Sequence, residues 1–336
     1  MVLTFLYSFP YFFYFNSTNK LAPGFTMRVN CVGSFGDPFK KLAACFPKIP
    51  NLCKNIIMKA FLGMGLLGSN FVQAMLRRGE FVHVWNRTAS KAQALEKAGA
   101  RAFTQVQDAV RGATEIHLTL KDDTAVDEVL MAAEPALHPG AIIIDHTTTS
   151  KEGAIKRTRV WKEKGFTFQH APVFMGPANA LDGTGFMLLS GDEKIISDLT
   201  PSLEKMTGKL LYFGAEVGKA AAMKLAGNAF LVCLTAGLKD TLTLSKALGV
   251  SLEDLLTLFG SWNPGALVTA RLQRMTGADH SQPSWELNMA RKDTQLFIDA
   301  TQQSGDQLLL MPAIAALMDE WINKGFGGHD WTIIGK

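Results

Sequence analysis

Gly63-Met64-Gly65-Leu66-Leu67-Gly68 sets three glycines at G-x-G-x-x-G spacing. That spacing suits a pyrophosphate. The first glycine allows a tight turn, the second lets phosphates approach the backbone, and the third lets a helix pack closely on a strand. The helix that follows offers unpaired N–H groups and a partial positive charge to an anion. All six residues are therefore expected to touch the nucleotide. About 20 residues on, an NAD site usually places an acid for the ribose 2′-OH. Here the chain reads Asn86-Arg87-Thr88, with Lys91 a turn later. Arg87 brings a planar cation and Thr88 a hydroxyl, both suited to a phosphate. A carboxylate would repel a 2′-phosphate and this set attracts it, so NADP is expected over NAD. The plainer reading of Arg87 is a solvated surface charge, the usual state of arginine.

Lys224 and Asn228 are four residues apart in a long helical pattern and share one helix face. Ala220, Ala221 and Leu225 make their surroundings apolar. A lysine there loses solvation, and its pKa falls towards neutrality. It can donate a proton to a carbonyl oxygen as hydride arrives and take one back in reverse. Asn228 can hold the substrate hydroxyl or the ammonium. The plainer reading is a surface lysine reaching water.

Other chemistries find little support. Four cysteines in 336 residues make no disulfide scaffold, and no CxxC or Cys/His cluster has zinc-ligand spacing. No metal is expected. The net charge of +4 is uneven: residues 1–57 hold six basic residues and one acid, Asp37, whereas the remainder holds 28 basic and 29 acidic residues. That remainder lacks the basic footprint of a nucleic-acid binder. His83, His117, His138 and His280 show no partner pattern and read as structural or surface residues.

The elements that must position these residues follow from periodicity. Strands are predicted at 56–62, 81–85, 101–103, 115–120 and 141–145. Helices are predicted at 69–79, 88–98, 105–112, 122–133 and 151–164. Such alternation gives a parallel sheet covered on both faces. A further set has strands at 166–169, 186–190 and 209–214 with a helix at 192–206. Strand signals then stop, and helices are predicted at 218–248, 251–259, 265–275, 284–303 and 307–324. The fold class is α/β, a Rossmann-type doubly wound sheet over 58–215 followed by an all-α domain over 216–336. Residues 1–57 hold nine of the 22 Phe and three of the four Cys but no sustained period. They are expected to be poorly ordered, a non-family extension before a true start at Met58, and cytoplasmic residence follows. Organellar targeting is the alternative. The apolar run Met1–Phe15 is too short to span a bilayer, and no membrane partner is expected.

The order of motifs from 58 to 335 resembles the β-hydroxyacid dehydrogenase family, which includes 3-hydroxyisobutyrate dehydrogenase and the glyoxylate/succinic semialdehyde reductases. The resemblance places Leu120 and Lys121 beside the nicotinamide ribose. It sets Thr147 and Thr148, in Asp145-His146-Thr147-Thr148, against nicotinamide or substrate, although both also suit a helix N-cap run. His170-Ala171-Pro172-Val173-Phe174-Met175-Gly176 stands where the family has a substrate loop rich in Ser and Gly. Phe174 replaces its Ser and Met175 its first Gly, leaving the backbone N–H groups of Met175 and Gly176 as donors. That implies a bulkier, more apolar pocket and counts against a small 3-hydroxy acid. The resemblance makes Lys224 the general acid/base, closes Lys292 over the cofactor and packs Asp293 at a helix junction. It implies hydride transfer between nicotinamide and a short hydroxy acid or its aldehyde or keto form, in a homodimer or homotetramer. An imine reductase and a non-catalytic NADP-binding protein are the rival readings. Imine reductases commonly lack the lysine.

Overall fold

A computed structural model describes residues 58–277 and 279–336. The expectations for residues 1–57 lie outside the described residues. The nucleotide-binding half runs β1 (Lys59–Leu62), α1 (Leu66–Arg77), β2 (Val82–Trp85), α2 (Ala89–Gln93), β3 (Arg101–Phe103), α3 (Val106–Val110), β4 (Glu115–Leu118), α4 (Asp123–Ala133), β5 (Ile142–Asp145), α5 (Lys151–Glu163) and β6 (Thr167–His170). Then come β7 (Val173–Phe174), α6 (Pro177–Asp182), β8 (Phe186–Leu189), α7 (Glu193–Leu203) and β9 (Lys209–Tyr212). The rest is helical: α8 (Lys219–Ala247), α9 (Leu252–Ser261), α10 (Val268–Thr276), α11 (Leu287–Gln303) and α12 (Met311–Trp321).

The six-stranded sheet has the order β3-β2-β1-β4-β5-β6 and is parallel throughout. Its central strand shows why. Phe61 enters a core with Phe71, Met75 and Val84 on one face. Ala60 and Leu62 enter another with Ile116, Leu130 and Trp161 on the other face. Side chains alternate across a strand, so one continuous apolar run fills both layers. Each large buried side chain contributes roughly 1.5–3 kcal/mol.

The strand at 166–169 differs from the sequence reading, which grouped it with 186–190 and 209–214. β6 is the edge of the large sheet, and β7-β8-β9 form a separate sheet. Pro172 makes the break. The Ala171 N–H donates the last rung to Asp145 O at 2.8 Å, and Pro172 has no N–H to continue. The Pro172 carbonyl instead accepts from Leu188 N at 2.8 Å, which opens the second sheet. β7 and α6 are elements the sequence did not declare, because two and six residues carry too little periodicity.

Buried polar groups cross the sheet. Lys59 Nζ lies 2.9 Å from Glu80 and 3.1 Å from Glu115. Burial would raise the Glu115 carboxyl, but His117 and Lys59 outweigh it and hold it at about 2. His117 and His146, 29 residues apart, share a hydrogen bond of 3.0 Å, and His146 Nδ1 meets Ala171 O at 2.8 Å. His117 thus has a partner, which the register of β4 on β5 supplies. Burial first, then the charge of His117, holds the His146 imidazole down at about 3.

In the helical part Leu287, Ala290, Met318 and Ile333 form a third core. Asp240 of α8 accepts from Leu309 N at 2.6 Å and Leu310 N at 2.7 Å, just ahead of α12. Asp330, 0% exposed, accepts from Arg274 at 2.6 Å, from both donors of Ser284 and from Thr332. Among the described residues nothing covers one side of α8: Phe230, Leu231, Val232, Leu234, Leu238 and Leu242 are exposed. By length and composition α8 could also cross a membrane.

Two predictions follow from the buried groups. The unfolded chain binds a proton at His146 below about pH 6.5, which the folded chain refuses down to about 3. The stability this residue contributes is therefore whole above pH 6.5 and lost as pH falls. At pH 5 the loss from His146 alone is about 2 kcal/mol. Urea denaturation at pH 7 and pH 5 measures it, and equal midpoints would refute neutral burial. Asp330→Ala leaves at least three donors without their acceptor and should cost roughly 2–4 kcal/mol in the same assay.

Candidate active site

The glycine loop sits between β1 and α1. Gly63 has φ +103°, and a Cβ there would collide with Thr119 O. A Cβ on Gly68 would collide with Gly63 O, so helix and loop touch backbone to backbone. Gly65 is the N-cap of α1, with no side-chain cap and no acid in the first turn. Space beside it is open. An uncapped helix N-terminus behind an open glycine fits a pyrophosphate. Gly65 and Leu66 are exposed there and Leu67 is half-buried.

Asn86 braces this loop. Its Oδ1 accepts from Met64 N at 2.9 Å, and its Nδ2 donates to Thr88 O at 2.9 Å. The Met64 N–H is thereby spent and the Met64 side chain is in the core. Of the expected nucleotide contacts, Met64 and Asn86 thus build the cradle rather than face it with free groups. Arg87 and Thr88 are exposed at the end of β2. Arg87 makes no ion pair or side-chain hydrogen bond among the described residues, leaving its guanidinium open to an anion.

The β4 and β5 ends come next to each other. Leu120 is half-buried and donates its N–H to Thr147 Oγ1 at 3.0 Å. Thr147 is buried and its Oγ1 accepts that bond, which ties the two strand ends together and leaves its O–H as a donor. Thr148 is exposed with its hydroxyl free for a ligand. The helix cap belongs to Ser150, whose Oγ accepts from Gly153 N at 3.0 Å. Lys121 is exposed beside Asp122, at 3.5 Å. Lys292 pairs with Asp293 at 2.8 Å on α11, outside the lining of the groove described next.

A groove of about 880 Å³ opens between the small sheet and α8. Ser190, at the end of β8, accepts from Ala220 N at 2.9 Å and pins the first turn of α8. One turn on, Lys224 is 9% exposed and Asn228 lies beside it on the groove. Burial lowers the Lys224 pKa from its ordinary value. No carboxylate pairs with Lys224 among the described residues. Its Nζ instead lies 4.0 Å from the centroid of the Phe174 ring. Phe174, Met175 and Gly176 all line the groove. A Cβ on Gly227 would collide with the Phe174 ring, so the glycine makes room for it.

Sequence reasoning gave no role to Asn179, Ser190 or Gly227. Asn179 Oδ1 accepts from Gly176 N at 2.9 Å and its Nδ2 donates to Thr184 Oγ1 at 2.9 Å. The signal was present, an Asn three residues into a helix opened by Gly-Pro. Its N-cap bond resembles the back-reach of a capping box.

Residues 59–214 match the NAD binding domain of 6-phosphogluconate dehydrogenase. The chain is 29% identical over 244 residues to the cytokine-like nuclear factor N-PAC of Homo sapiens, covering 71% of this chain and 43% of that protein. It thus spans less than half the length of that relative. It is 25% identical over 292 residues to the NAD-dependent L-serine dehydrogenase of Pseudomonas aeruginosa, covering 82% of this chain and 96% of that protein. Among solved structures, a reductive aminase from Aspergillus terreus in complex with NADPH and ethyl levulinate superposes with a TM-score of 0.75 at 22% identity, covering 83% of this chain and 98% of that one. That likeness is one of fold. A nucleotide-binding domain of the 6-phosphogluconate dehydrogenase type thus leads into a helical half, and the likeness to a hydroxy-acid-type dehydrogenase over nearly that protein's whole length is consistent with the β-hydroxyacid dehydrogenase family.

Proposed function

We propose that the chain is an NADP-dependent oxidoreductase interconverting a carbonyl and its alcohol, with Lys224 as general acid and base. The observation that carries this reading is Lys224 itself. It is nine-tenths buried and, among the described residues, has no carboxylate partner and lines a groove beside an Asn228 amide that makes no hydrogen bond. The nucleotide, when bound, supplies or accepts the hydride. Lys224 holds at Nζ the proton that passes to the carbonyl oxygen, and lowered proton affinity eases that transfer. Asn228 orients the same oxygen. Gly63, Gly65 and Gly68 with the first turn of α1 hold the pyrophosphate, and Thr148 reaches the nicotinamide or the substrate.

Arg87 supports NADP over NAD, because its open guanidinium stands where an acid would select the free ribose. The unpartnered side of α8 supports a homodimer or homotetramer. A bilayer would have to take in Lys239, whose side chain is 54% exposed, whereas a second copy can cover the apolar residues and leave that ammonium at the rim. A binding-only protein is the second reading. Its support is the Phe174 ring lying over the Lys224 ammonium.

Lys224→Ala should lower kcat by about 10²–10⁴ and leave NADPH affinity within about threefold, since none of residues 63–68 lines the groove that holds Lys224. Turnover assays with fluorescence titration of NADPH measure both, and unchanged turnover would remove Lys224 from the chemistry. Arg87→Ala should weaken NADPH by roughly tenfold, about one charge-assisted hydrogen bond, with NADH affinity unchanged. An equal loss for both nucleotides would assign Arg87 to the fold.

A further inference from the structure

Most of the means of holding a substrate carboxylate are committed elsewhere or missing from the groove's lining. Lys224 is the single ionisable group in its lining. If a carboxylate took that ammonium as its partner, the proton needed at the carbonyl oxygen would be held back by the ion pair. Phe174 already covers the ammonium with its ring face, at 4.0 Å from the centroid. The ring's negative face steadies the cation without presenting an acceptor. Phe174 itself has no hydrogen-bond donor in its side chain. The Gly176 N–H, the next donor along the loop, is taken by Asn179 Oδ1 at 2.9 Å. The Asn179 amide is in turn committed to Thr184, so it does not turn towards a ligand.

The rest of the wall is apolar. Phe186, Leu188, Leu211, Phe213, Met223 and Phe230 line it. An anion entering such a wall loses water and finds few replacement donors: the Asn228 amide, which the carbonyl oxygen claims, and the Met175 N–H. A neutral aryl or alkyl group loses only unfavourable hydration. Gly227 and Phe174 are matched, because the ring occupies the space a Cβ would take. The ring position is therefore built in from both sides of the groove.

We propose that the groove takes a neutral, apolar aldehyde or ketone without a carboxylate, and that Phe174 is the residue that sets this choice. The inference rests on the reductase reading of Lys224 and narrows it. In the reduction, the carbonyl carbon gains a hydride from the nicotinamide when it is bound. The C=O π pair moves to oxygen and takes the proton from Lys224 Nζ, giving the alcohol. Lys224 recovers its proton from water.

Matched substrates test the choice: benzaldehyde against 4-carboxybenzaldehyde, and hexanal against 6-oxohexanoate, each with NADPH and the full chain. The neutral member of each pair should exceed the acid by about tenfold or more in kcat/KM, the discrimination expected when a charged group finds no partner. Phe174→Ser should bring the ratio to about threefold or less, mainly by lowering KM for the acid. Asn179→Ala, which frees the Gly176 N–H without opening the aromatic wall, should move the ratio the same way. Wild type preferring the acids, or ratios unmoved in both variants, would overturn the substrate class and leave the reductase reading standing. No turnover of any of the four, with NADPH still bound, would overturn the reductase reading and the substrate class together.

Discussion

A lysine ammonium withdrawn from water without a carboxylate beside it is the constraint around which the groove is arranged. Such a group is costly to bury, and a fold keeps it only where its surroundings hold it in one place. Three contacts do so. Ser190 fixes the first turn of α8. The Phe174 ring lies over Nζ. Gly227 clears the volume that the ring fills. The ring answers the charge in part, since an aromatic face attracts a cation but accepts no proton from it. The proton on Nζ stays available.

The lysine is reached by a change of sheet at Pro172. Up to Ala171 the chain obeys the parallel ladder of the nucleotide-binding half. Pro172 ends that ladder and, through its carbonyl, starts another. Phe174 is therefore at the edge of a small sheet that faces α8, not on the large sheet. The same junction explains the buried histidines. His146 bonds Ala171 O, immediately before the break, and through His117 it joins the polar chain that runs to Glu115 and Lys59. That buried polar chain supports the register of β4 and β5, and with it the turn where Leu120 meets Thr147.

Periodicity was enough for five strands of the large sheet, because β1, β4 and β5 are short, largely buried segments bounded by turn residues, while β6 was assigned to the wrong set. The glycine loop was legible for the same local reason: a turn, a close approach and a helix start all write themselves into neighbouring residues. Lys224 with Asn228 was legible as one helix face. What sequence alone missed depends on long-range register. The resemblance set Thr147 against nicotinamide or substrate, and only the approach of Leu120 N shows that its oxygen also ties two strand ends together. Asn179 has no role on the page until its bond to Gly176 N removes a donor from the groove. Gly227 has no meaning on α8 until Phe174 arrives from another sheet.

The pH dependence of kcat/KM for carbonyl reduction tests the central claim most directly, since it reports the free enzyme's essential acid. With Lys224 as the proposed acid, its proton must be present for reduction, and burial lowers its pKa. The profile should fall as pH rises, through a pKa below the ordinary lysine value of about 10.4, and the limb should vanish in Lys224→Ala. A profile flat to that value, or a limb that survives the substitution, would contradict the account.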